Sequence, residues 1–206
     1  MFNYLESLEH LDYHNIVDRL IVDLETTDHY TSIHSARVGD MSHCLAELIG
    51  IKGDELERIH IAAHLHDIGK TLVPIQILNK SEKLLPYEWE LIKKHSEFGY
   101  GILCKSDKLH ILAEDVLHHH ERWDGNGYPG KLKGKQIPLG SRIIAVCDTF
   151  DAMCSQRAYR QAFSTGEALQ EIRRNSGKQF DPDLVDAAEE LWPLIIELHQ
   201  IPPGIN

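Results

Sequence analysis

The sequence predicts an all-α protein with a metal centre in the core of a helical bundle. Apolar residues recur every three or four positions through most of the 206 residues, and no stretch shows the alternating pattern of a β-strand. Glycine and proline separate the periodic segments. Histidine occurs 14 times, and it is the commonest metal ligand in proteins. We therefore expect helices that bring several imidazole groups together inside the bundle.

The composition limits the class of protein. Hydrophobic residues make up 42% of the chain, enough for one sizeable domain, and no run approaches the roughly 18 apolar residues of a membrane span. The net charge of −11 argues against binding to a nucleic-acid polymer. The four cysteines form no CxxC pair, and the N-terminus lacks a signal-peptide pattern. These features predict reduced, buried thiols in a cytoplasmic protein.

The chain is predicted to begin with an acidic amphipathic helix. Leucine, isoleucine and valine recur at helical spacing over residues 2–25, so residues 1–27 form an N-terminal element and residues 28–206 the main domain. Cap-forming residues then precede a second helix over 32–49, which ends at Gly50. The N-terminal helix is either a signalling or dimer helix or a brace for the core.

Six further helices are predicted from apolar spacing and from residues that begin or end helices. They span 56–68, 86–95, 109–120, 142–155, 165–174 and a final stretch that begins at Pro182. Asp54 is expected to cap the first of these, and Gly69 to end it. Pro86 and Pro182 each occupy a first helical turn, where no backbone hydrogen bond is lost. A short helical piece opened by Pro74 is expected in the loop after Gly69.

The stretch His-Leu-His-Asp-Ile-Gly-Lys, from His64 to Lys70, is the strongest local signal. His66 and Asp67 stand side by side at the end of an apolar run, where burial of an imidazole and a carboxylate costs free energy unless something compensates them. A divalent metal compensates both, because both groups are its ligands. A capped helix with a chance His-Asp pair explains the dipeptide equally well, so the remaining histidines decide.

Seven side chains with nitrogen or oxygen donors recur where apolar helices should bury them. They are His34, His66, Asp67, His95, His119, His120 and Asp148. The set lacks thiolate and is too large for one tetrahedral zinc, but it suits two metals bridged by a shared carboxylate. Two metals roughly 3.5–4 Å apart form the arrangement that cuts phosphoesters. The sequence therefore predicts a dinuclear centre whose metal-bridging hydroxide attacks phosphorus.

The order of these residues resembles the HD-GYP family, a branch of the HD-domain metal-dependent phosphohydrolases. The motifs that carry the resemblance are His34-x-x-Arg37, His66-Asp67-x-Gly69-Lys70, His95, His119-His120-Glu121, Asp124-Gly125-x-Gly127-Tyr128-Pro129 and Asp148. The resemblance covers residues 28–191 and implies an HD-domain helical bundle. It also implies bacterial signalling through hydrolysis of cyclic di-GMP to pGpG, and often on to GMP.

The resemblance implies a metal-binding role for each of the seven donors. The ligands of one metal would be His34, His66, Asp67 and Asp148, and those of the other would be His95, His119 and His120, with Asp67 bridging. The metals would be iron or manganese, although such ligands also suit nickel, cobalt or zinc. Tyr30 stands where some members have a glutamate that helps to hold a third metal, so two metals are expected.

The resemblance also implies residues that contact substrate and partners. Asp67 and Lys70 would be catalytic, with Lys70, Arg157 and Arg160 holding the substrate phosphate and guanine. The loop Gly127-Tyr128-Pro129 is expected to turn so that Tyr128 and Pro129 stand exposed. Tyr128 is then either a contact for diguanylate cyclase (GGDEF) domains or an aromatic that packs the loop. A homodimer is left open.

Other functions and other residue roles stay open from the sequence. The chain is an enzyme, a catalytically weak cyclic di-GMP receptor or GGDEF-docking module, or an HD hydrolase of another cyclic dinucleotide. Glu121 is either an acceptor for a histidine ligand or a plain helix-end acid. His60 and His64 are one turn apart, as in HExxH zinc helices, but Ile61 replaces the glutamate, so they are expected to be satisfied helix histidines.

Overall fold

The computed structural model describes residues 16–17, 19–20, 29–80, 82–155 and 162–200, and within them the fold is all-α, as predicted. The α-helices of these residues are α1 His29–Leu48, α2 Gly53–His64, α3 Ile75–Leu78, α4 Pro86–Lys93, α5 His95–Leu103, α6 Ala113–Leu117, α7 Leu139–Cys154, α8 Thr165–Arg174 and α9 Pro182–Gln200. Three 3₁₀ turns connect them, at Ile68–Leu72, His110–Leu112 and Gly134–Gln136. Within the described ranges, extended pairing is limited to an isolated bridge between Ser176 and Phe180.

The core lies where α1 packs against α2, α7 and α9. Met41 and Leu45 of α1, Ile59 of α2 and Phe150 of α7 are fully buried there. Burial of each such side chain contributes about 1.5–3 kcal/mol. Because α1 and α7 both run through this core, the polar side chains that they carry inward are held by rigid elements.

The helix α2 ends earlier than the sequence predicts. It stops at His64, and the backbone N–H of Leu65 still donates to the carbonyl oxygen of Ile61 at 3.0 Å before the chain enters a 3₁₀ turn. Gly69 therefore does not cap the helix. A Cβ at Gly69 would overlap the carbonyl oxygen of His95, so glycine is needed here for close packing of the turn against α5.

Two other predicted helices are interrupted. The segment predicted over 86–95 divides at Lys94 into α4 and α5, and the segment over 109–120 is a 3₁₀ turn followed by the short helix α6. Apolar periodicity does not distinguish one long helix from two short ones on the same face. As a result, His95 opens a helix, and His119 and His120 lie in the turn after α6.

The C-terminal helices follow their predicted bounds. The hydroxyl of Ser164 accepts from the N–H of Glu167, whose carboxylate accepts in return from the N–H of Ser164, so a capping box begins α8 at Thr165. Asp181 accepts from the N–H of Asp183 at 3.0 Å, and Pro182 is the first residue of α9. Lys52, not Asp54, occupies the N-cap position of α2.

Most of the predicted N-terminal helix lies outside the described residues. Ile16, Val17 and Leu20 are described and are buried in the main core, while a boundary at residues 27 and 28 stays a prediction. The four cysteines are free thiols, but the expectation that all are buried is wrong: Cys147 is buried, Cys44 and Cys154 are half-buried, and Cys104 is exposed. Among the helices that the structure describes, none combines the length and the apolar character needed to cross a membrane. The cytoplasmic location stays a prediction.

Candidate metal centre

Six of the seven predicted donors lie in two groups inside the bundle. The groups are His34, His66 and Asp148, and His95, His119 and His120. Within each group the candidate ligand atoms all lie within 4.8 Å of one another. Asp67 lies between the groups, with Oδ2 3.3 Å from Nε2 of His66 and Oδ1 3.4 Å from Nε2 of His95. This grouping is the one that the family resemblance implies, while ligation itself stays a prediction.

Rigid elements and tight turns position these donors. His34 lies on α1 and Asp148 on α7, while His66 and Asp67 lie in the turn between α2 and the next 3₁₀ turn. His95 begins α5. Because the donors come from segments far apart in the chain, only the packed bundle brings them together.

The tautomer of three histidines is set by the backbone. The Nδ1 atoms of His66, His95 and His119 lie 2.7, 2.7 and 2.6 Å from the carbonyl oxygens three residues earlier. A carbonyl oxygen only accepts, so each Nδ1 carries the hydrogen and each Nε2 presents a lone pair. These lone pairs face the space around Asp67, which is the arrangement of a metal-ligating imidazole.

The lone pairs of these histidines need a cation. Nε2 of His66 is buried and has no hydrogen-bond partner, although Asp67 is near. Nε2 of His95 lies 3.2 Å from Nε2 of His119, so two lone pairs oppose each other. Two nitrogen ligands of one tetrahedral ion at about 2.05 Å stand about 3.3 Å apart. The residues present therefore fit divalent metal ions.

The protonation states of five donors, all except His34 and His66, also suit metal binding. Burial, together with charged neighbours, lowers the pKa of His95, His119 and His120, so these imidazoles are neutral near pH 7. Burial opposes ionisation of Asp67, but Lys70 and His66 outweigh it and hold the pKa of that carboxyl well below its usual range. Asp148 is held low in the same way by His34. Neutral imidazole and ionised carboxylate are the forms that bind metal.

His34 is held by two carboxylates. Its Nε2 lies 3.0 Å from Oδ1 of Asp148, and its Nδ1 lies 2.7 Å from Oδ2 of Asp151. Burial alone would lower the pKa of His34, but these two hydrogen bonds raise it to about 10. The sequence reasoning missed Asp151 as a functional residue, although it follows Asp148 by three positions on an apolar helix and is fully buried.

Asp151 is expected to position His34 for metal binding. Replacing Asp151 with asparagine keeps the shape but removes the charge that orients Nδ1–H, so we expect metal affinity to fall about 10- to 100-fold. Competition with a chromophoric chelator measures the change. Unaltered affinity in a folded Asp151→Asn variant would contradict this role.

His120 is expected to control the acid stability of the metal-free protein. Burial and the nearby His95 lower the pKa of His120 from 6.5 to about 3. Between these values the unfolded chain binds a proton that the folded chain excludes, so stability present above pH 6.5 is lost as the pH falls toward 3. His120→Gln should flatten the pH dependence of the free energy of unfolding by up to about 1.4 kcal/mol per pH unit.

Denaturant titrations with chelator, at several pH values between about 4 and 6, measure this slope. The control is His110→Gln, because His110 is exposed. Its described contact is local: Nδ1 lies 2.7 Å from the backbone carbonyl oxygen of Asp107. Equal slopes for the two variants would contradict this prediction, because they would show that His120 binds its proton at the same pH in the folded and the unfolded chain.

A pocket opens onto the candidate metal centre. It has a volume of about 300 Å³, at the lower end of the range for small-molecule sites. His119, His120 and Asp148 reach it from the bundle, and Trp89, Arg122, Tyr128 and Gln179 are among the residues that line its walls. Sequence reasoning missed Trp89 and Gln179, since neither belongs to a motif. Lys70 is 30% exposed at the centre, with Nζ 2.5 Å from Oδ2 of Asp67.

The Gly-Tyr-Pro loop is folded against the metal centre. Tyr128 and Pro129 do not stand exposed as expected, since both are half-buried. The ring of Tyr128 packs on His120 with centroids 4.9 Å apart. Gly127 needs to be glycine, since a Cβ there would overlap the backbone of Arg122. Glu121 is buried and accepts from the N–H groups of Gly130 and Leu132 at 2.6 and 3.1 Å. Glu121 therefore holds the loop and is not hydrogen-bonded to a ligand histidine.

The remaining predicted residues differ in outcome. Arg37 of the His34-x-x-Arg37 motif lies 3.8 Å from Asp151. His118 belongs to neither donor group and contacts Glu121 at 3.4 Å. Arg157 and Arg160 lie outside the described residues, so their role stays a prediction.

Comparisons with known proteins agree with this fold. Residues 21–184 match the HD domain family. The chain is 42% identical over 178 residues to a cyclic di-GMP phosphodiesterase of Thermotoga maritima, a match that covers 85% of this chain. It is 36% identical over 185 residues to 3'3'-cGAMP-specific phosphodiesterase 2 of Vibrio cholerae, with 89% of this chain covered. The chain therefore belongs to the HD-domain family.

A solved structure shows the same fold. Bd1817, an HDG"Y"P protein from Bdellovibrio bacteriovorus, superposes with a TM-score of 0.66 at 17% identity, covering 93% of this chain and 69% of that chain. The curated relatives are longer: the matches cover 48% of the Thermotoga protein and 35% of the Vibrio protein. The chain thus spans about half or less of the length of these relatives.

Proposed function

We propose that this chain is a metal-dependent phosphodiesterase that hydrolyses a cyclic dinucleotide, with cyclic di-GMP as the first candidate. The observation that carries this proposal is the pair of donor groups on either side of Asp67, next to an open pocket. Two divalent cations bound there, iron or manganese in the first place, would activate water and neutralise charge on the phosphoryl oxygens. The names of the two relatives support the substrate class.

The chain's own residues would hold the phosphate. Lys70 is a partly exposed cation beside Asp67, which keeps its ammonium group at the centre. A phosphodiester that enters the pocket can accept a hydrogen bond from this ammonium, and the charge-assisted bond both neutralises and orients it. Arg157 and Arg160 would add guanidinium contacts to phosphate and guanine.

The pocket walls suit the bases and sugars of a dinucleotide. Trp89 is half-exposed at the wall and offers a flat face on which a purine can stack. Arg122 is held in place by Asp124, at 3.2 and 2.9 Å, and by Gln179 at 3.2 Å. Burial and the charges of Asp67 and Asp148 raise the pKa of Tyr128, so its hydroxyl stays a hydrogen-bond donor.

The test is hydrolysis by protein loaded with manganese or, without oxygen, ferrous iron. Cyclic di-GMP, 3'3'-cGAMP and cyclic di-AMP are supplied separately, and products are separated by chromatography. We expect cyclic di-GMP to give pGpG, with GMP appearing later if the reaction continues. Preferred cleavage of 3'3'-cGAMP would keep the enzyme class and change the substrate. Absence of product from all three, with both metal groups loaded, would overturn the proposal.

Binding without turnover would identify a receptor or docking module instead. Equilibrium dialysis of cyclic di-GMP with the same metal-loaded protein separates that result from failure to bind. Contact of the Gly127-Tyr128-Pro129 loop with GGDEF domains stays a prediction. Because Tyr128 faces His120, a partner would meet the exposed Asn126 and Lys131 beside it.

A further inference from the structure

A second cluster of metal-binding side chains lies between α1 and α2. Asp40 of α1 and His60 and His64 of α2 have candidate ligand atoms within 4.8 Å of one another, and the cluster shares no residue with the main metal centre. Nε2 of His60 lies 3.0 Å from Nε2 of His64 and 3.8 Å from Oδ1 of Asp40. The three atoms therefore converge on one point at the edge of the helix pair.

The spacing suits a tetrahedral cation. Nitrogen ligands about 2.05 Å from a zinc ion stand about 3.3 Å apart, close to the 3.0 Å between the two imidazoles. The carboxylate of Asp40, 3.8 Å from Nε2 of His60, would move inward, and Asp40 is an exposed side chain. Two histidines one helical turn apart, with a carboxylate from the neighbouring helix, form a donor set that zinc prefers.

The surrounding packing holds the imidazoles in place. A Cβ at Gly39 would overlap the ring of His64, so glycine at this position lets the ring lie directly against α1. The ring of His43 packs edge-on against His60, with centroids 4.9 Å apart, and its Nδ1 is buried without a hydrogen-bond partner. Four polar side chains are thus gathered on one face between α1 and α2.

We propose that Asp40, His60 and His64 bind one zinc-class divalent cation that links α1 to α2. Three protein ligands leave a fourth position for water. The cation would fasten α1, which carries His34, to α2, which leads directly to His66 and Asp67. Its role is therefore structural support of the main centre, and it takes no part in the reaction.

A hydrogen bond between two neutral imidazoles is the competing explanation. It accounts for the 3.0 Å distance between His60 and His64 if one Nε2 carries a hydrogen. It predicts no metal uptake beyond the main centre. Counting bound zinc separates the two explanations.

The experiment compares four proteins that carry their main-centre metals: the unaltered chain, His60→Gln, Asp40→Asn and His110→Gln. Each is dialysed against zinc at neutral pH, and bound metals are counted by elemental analysis. We expect His60→Gln and Asp40→Asn to bind one equivalent less than the unaltered chain. The exposed His110 serves as the matched histidine control and should leave the count unchanged. Zinc should also raise the melting temperature of the unaltered chain and of His110→Gln, but not that of His60→Gln or Asp40→Asn.

Equal zinc counts in all four proteins would overturn the proposal. Circular dichroism verifies that each variant is folded. If His60→Gln does not fold, the zinc count of Asp40→Asn alone tests the proposal, because Asp40 is exposed and its replacement leaves the core intact. Since the readout is a difference in bound zinc, its outcome does not depend on the proposed phosphodiesterase activity.

Discussion

Replacing Asp67 with asparagine is expected to abolish both metal loading and phosphodiester hydrolysis. Asp67 is buried, and its two oxygens face His66 on one side and His95 on the other. An amide of the same shape keeps the packing but supplies one neutral oxygen where two charged ones are needed. Loss of an outer partner of a metal ligand lowers metal affinity or activity about 10- to 100-fold. We therefore expect loss of the carboxylate between the two donor groups to lower both by more than about 100-fold.

Elemental analysis and the chromatographic assay measure these two losses on the same preparation. The control is Asp54→Asn, which removes an exposed carboxylate from the first turn of α2 and should change neither quantity. Normal turnover by a folded Asp67→Asn variant would remove the basis of the proposed dinuclear centre. Replacement by alanine should give the same result as asparagine.

Replacing Gly69 with alanine is expected to destabilise the protein and empty the metal centre. The added Cβ would overlap the carbonyl oxygen of His95 and approach the backbone nitrogen of Gly99. Backbone atoms cannot rotate aside, so the turn and α5 must separate, at a cost of about 1–3 kcal/mol or more. Since His95 opens α5, the same displacement moves a predicted ligand.

Gly101→Ala is the matched control, because Gly101 lies in α5, the helix against which Gly69 packs, and a Cβ at Gly101 meets nothing within 4 Å. This variant should gain about 0.5–1 kcal/mol from higher helix propensity. Denaturant unfolding with chelator gives both free energies, and metal content is measured separately. Equal stability of the two variants would show that the turn and α5 are loosely packed.

The arrangement of the donors could be predicted only because their order along the chain resembles a known family. Local signals placed His66 and Asp67 in a helix, whereas the structure has them in a turn. Periodicity could not reveal that turn, since the apolar residues on both sides belong to the same core. The grouping of His34 with Asp148 depends on contacts between α1 and α7, which no spacing within either helix encodes.

Residues that act through another residue were the hardest to predict. Asp151 looked like part of an apolar helix, and only the distance to Nδ1 of His34 reveals its contact. Tyr128 was expected outside because its loop is rich in glycine, yet its ring packs on His120. Trp89 reaches the pocket from α4, an element without any motif residue. Such roles arise from tertiary contacts, which short-range patterns do not contain.

The attachment of Glu121 to the loop determines which side of the pocket can adapt. Glu121 follows His120 directly and is bonded to Gly130 and Leu132, while the N–H of Tyr128 donates to the carbonyl oxygen of His120 at 3.3 Å. These hydrogen bonds tie this wall to the histidine turn, so we expect the two to behave as one rigid unit. A ligand that meets a preformed wall gives up little chain entropy there. If a cyclic dinucleotide binds here, accommodation to different bases would fall to other lining residues, among which Trp89 is half-exposed.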